Sequence, residues 1–203
     1  MNTFFNGWRL LFTGKSGWQA VAQDHPGLLK VLLLHTAPFA LIPCICWYVG
    51  VTQFGWQVAG DPVRLTAQSA LPLIVLFYGA CIFGVLFLGF MVHWMSTTYG
   101  DEASVTDGVV LITYTATPFF VAGLIGLYPI LWLDLVIGTV VAFYCIYLLY
   151  TGVTPLMKVL EERSFLYASA VFAVALVSFV GLLTATVLLW DFGATPEYTY
   201  SQQ

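Results

Sequence analysis

Apolar residues in this chain fall in long unbroken runs, separated by short stretches of glycine, proline and charge. Five runs, at residues 28–51, 70–98, 109–128, 130–153 and 165–190, contain almost no charge. An α-helix rises 1.5 Å per residue, so about 20 residues cross a hydrocarbon core about 30 Å thick. The runs therefore predict five transmembrane helices in a compact all-α bundle. Before them, TFFNGWRLLF places Phe4, Phe5, Trp8, Leu11 and Phe12 at helical spacing, with Asn6 and Arg9 turned away. A stripe too short to span predicts an amphipathic helix lying in the membrane interface. After a GKSG break, Ser16 and Gln19 have the spacing of a capping box for a second short helix, and Pro26 suits the first turn of the first span. The chain thus divides into an interfacial segment (1–27), a five-span domain (28–190) and a polar tail (191–203).

The polar breaks refine this picture. Residues 52–69 read as a loop bounded by Trp47, Tyr48 and Trp56, which suit the aromatic belt of a membrane interface. In YGDEASVTDG, Ser104 or Thr106 caps the third span, with Asp107 placed against its N-terminal dipole. In the last loop, Lys158, Glu161, Glu162 and Arg163 predict a short solvated helix. Small residues four apart (Ala80 and Gly84, Ala122 and Gly126, Gly138 and Ala142, Ser169 and Ala173, Gly181 and Ala185) predict close helix contacts in lipid. Pro38 and Pro43 interrupt the first span, Pro129 separates the third from the fourth, and Pro155 ends the fourth.

Composition excludes a soluble fold: 60% of the 203 residues are hydrophobic and 8% charged, against about 25% charged in soluble domains. Of the 6 basic residues, Arg9, Lys15, Lys30, Lys158 and Arg163 fall on one side of the predicted spans and Arg64 on the other. The positive-inside rule then places the N-terminus in the cytoplasm and the C-terminus outside. Residues 1–27 lack the order of a secretory signal, so the first span is expected to stay in the mature protein. The 4 cysteines lie inside spans, where they act as small apolar residues rather than as a disulfide framework or metal site. Six basic residues are too few to bind nucleic acid.

Candidate chemistry gathers in ITYTATPFF, residues 112–120. Pro118 has no N–H, which deprives the Tyr114 carbonyl of its helical partner; Thr117, three residues beyond Tyr114, is placed to supply that bond. Thr113 and the Tyr114 hydroxyl face other helices or a polar pocket. Ionisable residues at membrane depth are functional candidates by default. His35 lies about two turns into the first span, His93 about one turn from the end of the second, and Asp134 about one turn into the fourth from the other side. Thr113, Tyr114, Thr117, Pro118, His35 and His93 form a candidate polar interior, and Asp101 with Glu102 a candidate docking or cation site. No nucleophile–base pair, phosphate loop or metal repeat is present, so no catalytic residue, metal or cofactor is expected.

Three stretches carry a family resemblance: GWQAVAQDHPGLLKVLLLHTAPFALIP, YGDEASVTDGVVLITYTATPFF and YCIYLLYTGVTPLMKVLEERSFLYASAV. The tryptophan before the first span (Trp18), the glycine loop leading to a tyrosine-x-x-x-proline span (Gly100, then Tyr114 and Pro118) and the end of the fourth span (Tyr150, Gly152, Pro155) resemble the Yip1 domain family, in its small bacterial inner-membrane branch. The resemblance runs from Gly17 to about Ala185. It implies a five-span bundle with a cytoplasmic N-terminus in the bacterial inner membrane. Eukaryotic relatives are trafficking factors that engage small GTPases and membrane-curving proteins through a long N-terminal region. Only residues 1–27 precede the first span here, so GTPase binding is not carried over. The expected function is a non-enzymatic scaffold or accessory protein that binds other membrane proteins, itself, or lipid. The alternative is a small transporter or channel with a path lined by the hydroxyls and histidines.

Overall fold

Each apolar run forms a helix whose ends are set by local chemistry. In this computed structural model, which describes residues 9–10, 12–56, 63–99, 103–191 and 198–199, helix α1 is Lys15–Asp24 and the first span, α2, is Leu28–Phe54. The strand β1 (Arg64–Leu65) leads into α3 (Ala67–Tyr99). Helices α4 (Val105–Ala122), α5 (Leu131–Met157) and α6 (Glu161–Asp191) follow, and then β2 (Tyr198–Thr199). Helices α2 to α6 are each long and apolar enough to cross a membrane. The candidate stripe over residues 4–12 falls mostly outside the described residues; within it Leu10 is buried and Phe12 exposed.

Helix α4 lies at the centre, with more of its length buried than any other span. Its start is fixed as the sequence implies: Asp107 N–H donates to Ser104 Oγ at 3.1 Å, while Ser104 N–H returns a bond to Asp107 Oδ2 at 3.1 Å. A 3-10 turn, Gly123–Leu127, closes its far end, and Pro129 separates it from α5. Close approach to its neighbours depends on glycine. A Cβ at Gly108 would strike the carbonyl oxygen of Gly89 on α3, and one at Gly123 would strike Pro43 on α2. At Gly50 of α2 a Cβ would run into the carbonyl oxygen of Gly126. On α5, a Cβ at Gly152 would come within 2.5 Å of the Trp18 ring.

Several local expectations are corrected. Ser16 does not pair with Gln19, because Gly14, at φ +51°, takes the cap position of α1 and Ser16 lies inside the helix, bonded to the Thr13 carbonyl. Pro26 precedes the first turn of α2 rather than occupying it, since Gly27 is the capping residue. Pro38 and Pro43 do not interrupt α2. A widened π-helical segment, Leu32–Thr36, sits immediately before Pro38, and helix continues through Pro43. Helix α5 likewise passes Pro155 and stops at Met157, where Lys158 turns left-handed at φ +53°. The expected solvated helix is instead the first turn of α6, where Glu161 and Glu162 face the positive end of the helix dipole.

Helix α6 is held to the bundle by hydroxyls: Tyr167 donates to the Val92 carbonyl on α3 at 2.5 Å, and Thr154 and Ser164 bond at 2.7 Å. At the opposite end, β1 pairs antiparallel with β2, Arg64 facing Thr199, so part of the tail is clasped to the loop between α2 and α3. The paired small residues do not all serve internal packing. Gly126 meets Trp47, but an added Cβ on Gly84, Gly138 or Gly181 meets nothing within 4 Å.

Candidate functional site

Among the described residues, the most polar buried ground lies between α2 and α4. His35, Thr36 and Thr113 are fully buried, and Thr117 is 1% exposed. The π-helical turn of α2 presents His35 and Thr36, adjacent in sequence, to the same neighbouring helix. Such insertions recur where a helix must re-aim side chains. On α4, Thr113 and Thr117 are four residues apart and so share a face. The two pairs join: His35 Nε2 lies 2.9 Å from Thr117 Oγ1, and Thr36 Oγ1 lies 3.1 Å from Thr113 Oγ1.

Direction follows from donors and acceptors. Thr117 Oγ1 gives its proton to the Thr113 carbonyl at 3.0 Å. The His35 Nε2–H therefore donates to Thr117, and a chain of bonds runs from the imidazole to the backbone of α4. Thr117 thus serves the carbonyl four residues back, not that of Tyr114 as the proline implied. Its hydroxyl takes the back-bonding geometry available to threonine in any helix. The His35 ring stacks on Phe39 at 4.3 Å between centroids and leans on Tyr114 at 4.8 Å. Trp18 of α1 meets Tyr114 edge-on at 6.3 Å. His35 Nδ1, Trp18 Nε1 and Thr115 Oγ1 are buried without a hydrogen-bond partner among the described residues.

Of the residues singled out in the sequence, His35, Thr113, Tyr114 and Thr117 meet in this cluster, and Pro118 is buried in α4 next to Thr117. His93 does not join it. Its Nδ1–H donates to the Ala103 carbonyl at 2.6 Å, which ties the end of α3 to the residue before the α4 cap. Asp101 and Glu102 lie outside the described residues. Asp134 is in the first turn of α5, at the end of that span, where the helix dipole favours an acid. Two members escaped the sequence reading. Thr36 is an ordinary threonine until a π turn aims it, and Trp18, noted in the sequence only as the tryptophan before the first span, is fully buried against Gly152 and Tyr114. The cluster joins α2 to α4 through two hydroxyl contacts, His35 to Thr117 and Thr36 to Thr113.

The Yip1 domain pattern matches residues 8–182. This chain belongs to the Yip1 domain family. Inner membrane protein YohC of Escherichia coli (strain K12) is 38% identical over 187 residues, covering 92% of this chain and 96% of that one. The YohC protein of Escherichia coli O6:H1 (strain CFT073) matches to the same extent. No solved structure matches. The five apolar helices and this kinship make the chain a multi-pass Yip1 domain protein of the bacterial inner membrane, in contact with lipid.

Proposed function

We propose that this Yip1 domain protein is a non-enzymatic scaffold that associates with other membrane proteins, or with further copies of itself, through the outer faces of α3, α5 and α6. The observation that supports this is the placement of Gly84, Gly138 and Gly181, where an added Cβ would meet nothing within 4 Å. Glycine has a poor claim to a lipid-facing helix position unless a backbone approaches there, because in hydrocarbon small residues are the sites where helices pack closely. The glycines that serve internal packing, such as Gly89 and Gly108, are different residues. Orientation by the basic residues puts Lys15, Lys30, Lys158 and Arg163 toward the cytoplasm in this reading. Against a transport path stands the closure of the His35–Thr117 cluster, whose four polar members are at most 1% exposed.

The test replaces Gly84, Gly138 and Gly181 together by leucine and compares proteins co-purified from native membranes. The Cβ of each new residue meets nothing within 4 Å, so the fold is expected to survive, as equal thermal unfolding checks, while close approach from outside is blocked. Stoichiometric partners, or self-association, lost in the triple variant support the scaffold. Unchanged co-purification, or a wild-type protein that is always a lone monomer, refutes it.

A further inference from the structure

A cavity of about 350 Å³ opens where α1 crosses the end of α5 and the start of α6, lined by Lys15, Gln19, Tyr150, Thr151, Thr154, Pro155 and Glu161. It falls within the size range of small-ligand sites. Its position is at headgroup depth, because the fourth span ends at Met157 and the fifth begins at Glu161. Its walls differ in chemistry. On the α1 wall, the Lys15 ammonium and the Gln19 amide supply donors. On the opposite wall, the Tyr150 and Thr151 hydroxyl protons are already committed. Thr151 donates to the Tyr147 carbonyl at 2.9 Å. Ser169 donates to the Phe165 carbonyl at 2.8 Å, so the 2.7 Å contact between Tyr150 and Ser169 uses the Tyr150 proton. Tyr150 and Thr151 therefore offer only lone pairs to a ligand, beside the Glu161 carboxylate. Apolar surface continues from this wall: Phe165, whose ring lies 5.4 Å from that of Tyr150, is 66% exposed, and Leu160 is 70% exposed.

We infer that this cavity binds the zwitterionic headgroup of an aminophospholipid, a phosphate diester bearing a primary ammonium. The phosphate meets Lys15 and Gln19. The ammonium, with three N–H donors, meets Glu161 and the lone pairs of Tyr150 and Thr151. The acyl chains lie along Phe165 and Leu160. A trimethylated ammonium has no N–H to give these acceptors, and a glycerol headgroup brings no cation to Glu161, so the site discriminates among phospholipids by headgroup. It is separate from the outward glycines of α3, α5 and α6, and the scaffold reading stands or falls without it.

The test is native mass spectrometry of the full chain in mild detergent, with phosphatidylethanolamine, phosphatidylcholine and phosphatidylglycerol of identical acyl chains added in turn. Phosphatidylethanolamine is expected to bind about tenfold more tightly than phosphatidylcholine, the factor that corresponds to one charge-assisted hydrogen bond. Glu161→Gln removes most of that preference and leaves phosphatidylglycerol binding unchanged, whereas Lys15→Gln weakens both lipids about fivefold. Both positions are exposed, and equal thermal unfolding of the variants and the wild type establishes that they fold. Equal binding of the three lipids, or a phosphatidylethanolamine preference that survives Glu161→Gln, overturns the assignment. Displacement of bound lipid by free O-phosphoethanolamine at equal concentration overturns the lipid as the ligand in favour of the soluble headgroup.

Discussion

The contact between His35 and Thr117 is the polar tie between α2 and α4 that a double-mutant cycle measures most cleanly. Thr117→Val keeps the side chain's shape and removes its oxygen, so the His35 Nε2–H is left buried and unpaired. Nor can the ring compensate through its other nitrogen, which has no partner among the described residues. An unsatisfied buried donor costs about 1–3 kcal/mol. His35→Leu removes the donor and also the stacking on Phe39 and Tyr114, worth about 0.5–1.5 kcal/mol. In the double variant neither partner remains to be unsatisfied, and its loss is smaller than the sum of the single losses. Interhelical hydrogen bonds in membranes couple by about 0.6 kcal/mol on average and by about 1.7 kcal/mol at most. With both groups at most 1% exposed, a coupling of about 1–1.7 kcal/mol is expected here. The assay is reversible unfolding in mixed micelles, followed by tryptophan fluorescence. A coupling below about 0.3 kcal/mol, the scatter of independent sites, would refute the pin.

Other expectations follow from single contacts. Gly108→Val places side-chain atoms against the Gly89 carbonyl, where backbone has to give way, and is expected to destabilise the α3–α4 pair by more than about 2 kcal/mol; Gly138→Val, with open space around it, changes stability by less than about 0.5 kcal/mol. Thermal unfolding in detergent distinguishes the two. Ser104→Ala removes the hydroxyl half of the α4 capping box and is expected to cost about 1 kcal/mol, seen as faster amide exchange over residues 105–108. Single cysteines placed at Lys158 and at Arg64 are expected to label from opposite sides of the membrane, with Lys158 protected in intact cells. Labelling at position 158 from outside would contradict that topology.

The spans were legible because length and apolarity are local properties; the five runs fall within a few residues of the helices found. The Ser104–Asp107 cap was readable for the same reason, since both partners lie within one turn. The helix ends that misled involve competition the sequence does not rank. Gly14 outdid Ser16 as a cap, and lipid-embedded helix continued through Pro43 and Pro155, where an isolated helix would break. The candidate site was half legible. Polar residues in apolar runs flagged His35, Thr113, Tyr114 and Thr117, but the pairing of Thr36 with Thr113 spans 77 residues and depends on a π turn. Trp18 was hidden by its own chemistry, because tryptophan before a span also suits the interface. The direction in which a small residue faces was not readable at all: Gly126 packs inward and Gly138 outward, though both belong to the same four-residue spacing.

Position-specific photo-cross-linking in native membranes tests the scaffold most directly. A photoreactive side chain at position 84, 138 or 181 is expected to form a discrete protein adduct, either with another membrane protein or with a second copy of the chain, while one at the exposed position Ile45 on α2, outside the proposed faces, yields lipid adducts alone. Lipid adducts alone at all four positions would contradict the account and leave the outward glycines without a partner.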